Sequence, residues 1–369
     1  MFIIKKIAIC NEKSKFMSIR KIGEKLRKQE KLTDKEKEEF HNFSQIHSVI
    51  IKLFITELEK IEFSKQYLIT SRNKRIETII SKLCRPEKPK LDRIHDIAGV
   101  RMIFDTMESL KEFITILENT ELFGFKEKEN KDKNKYNYVE NPKLDGYRSV
   151  HKVFYYVLDI VYSTFKGKDF NLKNKKIELQ LRTKLQHIWA TTVEIYDIIN
   201  KSNLKTGIHN KLETEEGLFF KKCSLIFEGI ENNEKEVIEN NIYEIFTKKE
   251  LRKIFDKLKG IKNITNIDLP KNLGSEEPFV LITYLNEGKT TFFVAPEYED
   301  IEKKDTFLLN ASYRALEEKN TKGEYILLLL TLKDVRKLQE TYPNYFLDAK
   351  EFIDILEIYK NEFIKEEDL

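Results

Sequence analysis

Four short stretches in the first two hundred residues set charged, hydroxyl or ring side chains where a strand or helix ends. SRNKRIETIISK (71–82) places Arg72, Lys74, Thr78 and Lys82 at separations that share one side of a helix turn. Such a face suits phosphates, although a solvated basic face would explain the stretch if it stood alone. RIHDIAGVR (93–101) sets Asp96 just ahead of an apolar strand. A carboxylate there can hold Mg2+, which takes one or two protein carboxylates together with phosphate oxygens, while a capping or turn role is the simpler reading of Asp96 by itself. NPKLDGYRSVH (141–151) gathers Lys143, Tyr147, Arg148 and His151 around a turn built on Pro142, Asp145 and Gly146. KIELQLRT (176–183) turns Ile177, Leu179 and Leu181 one way and Glu178, Gln180 and Arg182 the other, a row that suits a wet cleft better than a core. Together these are the contents of a phosphotransfer site: two carboxylates for a metal, several cations for a polyphosphate, and a ring for a base to stack on. The GxxxxGK[ST] pattern is absent, which excludes a P-loop enzyme.

The elements that must position these residues can be read from periodicity. Thr33 to Glu36 is a capping-box pattern, and Phe40, Phe43, Ile46, Val49, Ile50, Phe54 and Leu58 recur at helical spacing, so a long helix is expected over 38–61. A second helix is expected over 72–83, stopping before Pro86 and Pro89, then a strand over 99–104 and a helix over 107–117. The runs 150–162 and 176–182 read as strands, and 184–199 as a helix. Residues 201–250 are polar and helical in character. Beyond them, 279–285 and 289–295 form a hairpin signal with Gly288 in the turn, 325–332 adds a strand, and 332–340 and 349–360 are helical. The fold class is α+β, with a seam between 200 and 265.

The 369 residues carry a net charge of +4, which hides an asymmetry. Residues 1–200 hold 40 Lys and Arg against 29 Asp and Glu; the remainder holds 26 against 33. A basic half joined to an acidic half fits a polyanion-binding part and a partner able to lie against it, or two independently solvated surfaces. Apolar runs are too short to cross a bilayer and the first ten residues lack a secretory pattern, so a soluble, cytoplasmic protein is expected. Cys10, Cys84 and Cys223 have no metal-ligand spacing and are expected to be buried thiols.

The order RxKxxxTIxxK, RIxDIAGVR, NPKxxGYRSVH, ELQLRTxxQHIWA resembles the synthetase domain of the RelA/SpoT alarmone synthetases over roughly residues 45–200. The resemblance implies a nucleotidyltransferase-like mixed sheet flanked by helices. It also implies transfer of the β,γ-pyrophosphate of ATP to a ribose 3′-hydroxyl. Carried over by position, Arg72, Lys74, Thr78, Lys82 and Arg101 would hold ATP. Asp96 and Glu178 would be catalytic and bind Mg2+. Lys143, Tyr147, Arg148, His151, Gln180 and Arg182 would meet the acceptor, with Tyr147 stacking on its base. The family's usual charged residues ahead of Tyr138 are replaced here by Tyr136 and Asn137, a departure that bears on GDP or GTP as acceptor. No HD-type hydrolase set precedes the synthetase motif, so product would not be removed.

In TYPNYFLDAKEF (341–352), Tyr342 and Tyr345 are spaced to share one face of a helical turn. They could enter an adenine pocket, or pack in their own core beside Phe346 and Phe352. A small synthetase followed by a strand-rich tail with a YxxY element is similar to CapRel, a group of fused toxin–antitoxin antiphage proteins. That resemblance implies an autoinhibitory role for Tyr342 and Tyr345, relief by a phage protein bound to the C-terminal part, and the 3′-CCA end of tRNA as acceptor. The alternative is a free guanine or adenine nucleotide, as in an alarmone synthetase. The expected division is an N-terminal segment (1–44), the synthetase domain (45–200), a helical linker (201–262) and a smaller C-terminal α/β autoinhibitory domain (263–369).

Overall fold

The structure is a computed structural model. It describes residues 12–129, 135–163, 169–200, 202, 204, 214–261, 266–267, 278–285, 289–294, 306–320, 324–331, 342 and 346–365. Its first half is built on a mixed five-stranded sheet with strands β1 (Leu68–Asn73), β2 (Ala98–Phe104), β3 (Phe125–Glu127), β4 (Val150–Tyr156) and β7 (Lys176–Thr183). They lie in the order β1-β2-β7-β4-β3. β2 and β7 run parallel at the centre, with Gly99 opposite Glu178, and the other pairings are antiparallel. The parallel pair needs a long crossover, and α4 (Met107–Glu118), β3 and β4 fall within it. A separate two-stranded ribbon joins β5 (Val161–Ser163) to β6 (Asp169–Asn171).

The helix expected over 38–61 spans Asp34–Leu58 as α2, its N-terminus fixed by the Thr33–Glu36 capping box. Its apolar face covers the sheet: Phe54 is fully buried, with its ring 5.0 Å from those of both Phe125 and Phe154. Truncating such a ring costs about 3–5 kcal/mol. α1 (Glu12–Arg27), not expected from the sequence, lies against α2 and α3 (Ile76–Leu83), and Arg27 ties it to the Leu83 and Pro89 carbonyls.

Three local expectations are corrected. Arg72 begins no helix; residues 68–73 pair along β2 as an edge strand, and α3 starts only at Ile76. Tertiary pairing overrides the weak helical pattern there. The single strand expected over 150–162 is broken between Tyr156 and Val161, where the Asp159 carboxylate accepts from Asn171 and Lys173 and turns the chain into the separate ribbon. Cys84 is exposed at the C-terminal end of α3, facing the Arg27 carbonyl, whereas Cys223 is buried as expected; Cys10 lies outside the described residues.

After α5 (Lys184–Asn200) come α6 (Glu215–Asn232), α7 (Lys235–Thr247) and α8 (Lys249–Lys259). A second sheet holds β8 (Asn266–Ile267), β9 (Pro278–Tyr284), β10 (Lys289–Val294) and β11 (Tyr325–Thr331), covered by α9 (Thr306–Lys319). The Gly288 turn and the helix expected over 332–340 lie outside the described residues. The last helix, α10 (Lys350–Phe363), packs away from this sheet: Phe352 and Leu356 are fully buried in one core with Phe220, Phe227, Phe246 and Phe255. Among the described residues no helix is long and apolar enough to cross a membrane.

His47 on α2 is buried and its Nδ1–H donates to the Phe43 carbonyl at 2.7 Å. Burial, reinforced by Lys175 and Lys176, lowers its pKa from 6.5 to about 3. The unfolded chain therefore binds a proton that the folded one refuses. Stability from this group is complete above the unfolded pKa and is lost as pH falls through the interval below it, by up to about 1.4 kcal/mol per pH unit. Urea unfolding measured between about pH 7 and pH 5 should show that slope, and His47→Gln should flatten it.

Candidate active site

Asp96 lies two residues ahead of β2, and Glu178 is the third residue of β7. Because β2 and β7 are parallel neighbours, two carboxylates more than eighty residues apart in sequence reach one region of the sheet. The expectations for Lys74, Lys82 and Asp96 meet in one contact. Lys74 Nζ stands 2.5 Å from Asp96 Oδ2 and Lys82 Nζ 2.8 Å from Oδ1. Lys74 follows β1 and Lys82 lies on α3, with Thr78 one turn before it on the same face. Burial pushes the Asp96 carboxyl up, but the two ammoniums outweigh it and hold it well below the usual carboxylate range. Glu178 is driven the other way, by burial first and then by the Asp96 charge.

Glu178 opens a chain of polar contacts along the sheet. Gln180 Nε2 donates to its Oε1 at 2.8 Å, and His151 Nδ1 stands 3.3 Å from the same oxygen. A proton on Nδ1 faces the carboxylate, which leaves Nε2 to accept from the Tyr147 hydroxyl at 2.8 Å. Arg182 Nη2 donates to that hydroxyl at 2.6 Å and to Gln180 Oε1 at 3.1 Å, closing the circuit. Burial, helped by the Arg182 and Lys143 charges, keeps His151 neutral. The row on β7 is thus only partly wet, since Arg182 is buried beneath the Tyr147 ring while Glu178 and Gln180 are half-exposed.

The acceptor-loop residues divide. The Lys143 ammonium sits 4.4 Å from the Tyr138 ring centre and 4.6 Å from that of Tyr147, a cation between two ring faces. Burial lowers its pKa. Tyr138, absent from the expected site, supplies the second ring; burial and then the neighbouring Tyr147 and Glu178 raise its pKa to about 12. Arg148 departs from expectation. It is buried, and its Nη1 meets Glu231 on α6 at 2.5 Å. Asn137 also proves structural, its Oδ1 accepting from the Val139 and Glu140 amides. Arg101, opposite Gln180 on β2, donates to His187 on α5. Arg72 is placed on β1 opposite Gly99. Lys131 and Lys133, part of the cationic surplus of the first half, and Tyr345 lie outside the described residues.

The donor set fits one kind of metal. Among the described residues no group of three or more His, Cys, Asp or Glu side chains is placed to hold an ion, so a zinc-type cage is not built. Two carboxylates beside lysines fit Mg2+, whose remaining ligands come from phosphate and water. A cavity of about 500 Å3 opens at the opposite end of β2, lined by Tyr67, Leu68, Ile103, His187 and Phe352.

This chain is similar to known proteins over its first half. Residues 71–203 match the family described as a region found in RelA / SpoT proteins. Among individual relatives, GTP pyrophosphokinase YwaC of Bacillus subtilis (strain 168) is 31% identical over 131 residues, 33% of this chain. The match spans about half of that relative's length, 53%. Small alarmone synthetase 1 of Bacillus subtilis, solved with its product pppGpp, aligns at 21% identity over 54% of this chain and 96% of its own, with a TM-score of 0.41. A GTP pyrophosphokinase family protein of Streptococcus pneumoniae aligns at 22% identity over 55% and 96%, with a TM-score of 0.39.

While Lys74 and Lys82 hold Asp96, neither the cations nor the carboxylate is available to a ligand. A polyphosphate drawing off the lysines should release Asp96 for Mg2+, and the coupling must be reciprocal. Titration calorimetry should find Mg2+ binding at least about tenfold tighter with a non-hydrolysable ATP analogue present, and Asp96→Asn should abolish that difference.

Proposed function

We propose that the chain is an ATP-dependent pyrophosphokinase whose acceptor is the 3′ end of tRNA, and that its C-terminal unit holds the donor site closed. The observation that carries the reaction is the half-buried Asp96 clasped by Lys74 and Lys82 beside Glu178, inside the segment that matches the RelA/SpoT region. The acceptor's 3′ oxygen attacks the β-phosphorus of ATP, the bond from the β-phosphorus to the α,β-bridging oxygen breaks, and AMP leaves with that oxygen and the bonding pair. Glu178, made more basic by burial and by Asp96, takes the hydroxyl proton. Lys74 and Lys82 exchange Asp96 for the donor phosphates, and Tyr147 and Tyr138 receive the acceptor base as Lys143 moves to a phosphate. Mg2+ on Asp96 and Glu178 would neutralise phosphate charge.

A tRNA acceptor is supported by the cationic surplus of the first half, including Lys126, Lys128, Lys135, Lys173, Lys175 and Lys176. Closure is supported by contacts on both sides of the donor strand. The Tyr342 hydroxyl donates to the Ser71 carbonyl at 3.0 Å, next to Arg72. On α9, Glu317 accepts from the Ile76 amide at the start of α3 (3.3 Å), and Arg314 pairs with Glu317 while reaching Ser44 on α2. On this reading the chain is a self-inhibited toxin, relieved by a phage protein that engages the C-terminal unit.

The test uses the whole chain with ATP labelled on the γ-phosphate and GDP, GTP, ATP or bulk tRNA offered separately. Label on tRNA is expected. Label on a free nucleotide would replace the acceptor, and no label on any of them from either the parent or the Tyr342→Phe chain would sink the reaction. Asp96→Ala should lower transfer roughly a hundred- to a thousandfold. Tyr342→Phe removes one hydrogen bond and should raise transfer by about two- to tenfold, the equivalent of roughly 0.5–1.5 kcal/mol. An unchanged rate in Tyr342→Phe would assign that ring to packing alone.

A further inference from the structure

Arg148 belongs to the acceptor loop by sequence yet points away from the cleft, and what it meets lies outside the matched region 71–203. α6 presents Ser224, Glu228 and Glu231 at spacings of four and three, one face of a helix. Ser224 Oγ donates to the Gly146 carbonyl at 2.5 Å. Glu228 stands 3.7 Å from Arg148 Nη2 and Glu231 2.5 Å from Nη1. Glu231 also accepts from Thr183 Oγ1, the last residue of β7, and from Gln186 Nε2 at 3.3 Å. A single buried carboxylate thus joins the acceptor loop to the strand that carries Glu178, Gln180 and Arg182. Gly146 completes the fit: its φ is +90°, and a Cβ there would come within 2.9 Å of Ser224 Cβ and 3.2 Å of Lys221 Cα. The loop lies directly against the helix.

We infer that this face of α6 sets the position of the acceptor loop, with Glu231 the positioning residue that registers Tyr147 and His151 against Glu178. The inference rests on the pyrophosphokinase reading for its kinetic form, and on geometry alone for its structural form. Its chemistry is that of a fixed strut. A buried carboxylate with three donors holds Arg148 in one place, and the two residues flanking Tyr147 are both tied to α6, so the ring has little freedom to leave the cleft wall.

Glu231→Gln keeps an acceptor for Thr183 and Gln186 but removes the charge that holds Arg148. Ser224→Ala removes only the bond to the Gly146 carbonyl and leaves the helix packing intact, which covers the case in which the first variant folds poorly. In the full chain, the acceptor KM is expected to rise between about ten- and a hundredfold in Glu231→Gln and by a smaller factor in Ser224→Ala, with the ATP KM within about twofold of the parent. Amide exchange at 143–149 is expected to quicken in both variants, with exchange in α3 unchanged. Both KM values moving together, or loop exchange identical to the parent, would overturn the inference. Should neither the parent nor the Tyr342→Phe chain transfer pyrophosphate, exchange at the loop still decides the matter: quickening confined to 143–149 upholds the strut while the reaction assignment falls.

Discussion

One buried carboxylate between two ammoniums governs the first half of the molecule. Drawing Asp96 largely out of water would be costly alone, and either lysine by itself would leave an excess charge beside the partly buried Glu178. The three groups come from different places: Lys74 from the end of β1, Lys82 from α3, Asp96 from the approach to β2. Their mutual satisfaction therefore fixes how the edge strand, the short helix and the central strand meet. It also joins folding to ligand binding, because the groups that neutralise one another without ligand are those a metal and a polyphosphate would separate.

The Tyr147 side of the cleft follows the same logic with different chemistry. Lys143 is stored between the Tyr138 and Tyr147 rings, His151 is kept neutral, and Arg182 lies under a phenol. Cations held on ring faces cost less to move than cations held on carboxylates. The loop is thus poised to give up a charge, while its backbone is anchored by α6.

How much of this was legible follows from where each contact is formed. The chemistry-bearing residues could be found because motifs keep them local: Asp96, Glu178, Tyr147 and His151 are where their spacing suggested, and the long helix was announced by Thr33 and Glu36. The strand at 68–73 was hidden because an edge strand ending in Ser, Arg and Asn carries no alternating signal; its partner β2 supplies the pattern. Arg148 was misjudged for a related reason. Its partner Glu231 sits 83 residues away on a helix whose charges read as solvated surface, and no local pattern marks one of them as buried. Tyr138 could have been found, since a ring nine residues ahead of Tyr147 and beside a Lys143 turn is an available second wall. The fate of α10 could not, because its apolar stripe fits any core.

That last helix changes how the acidic half is attached. α8 ends and α10 begins within one helical core, and the two are clasped across it by Lys259 and Glu357 at 2.5 Å. The described residues between 260 and 349, the second sheet among them, are therefore joined to one helical core at both ends. A loop pinned at both feet stays at high local concentration, so it re-closes by a unimolecular step as soon as nothing holds it off. Under the proposed closure, whatever opens this molecule has to remain bound for the opening to last, which makes the open state a measure of occupancy and gives it no memory of past encounters.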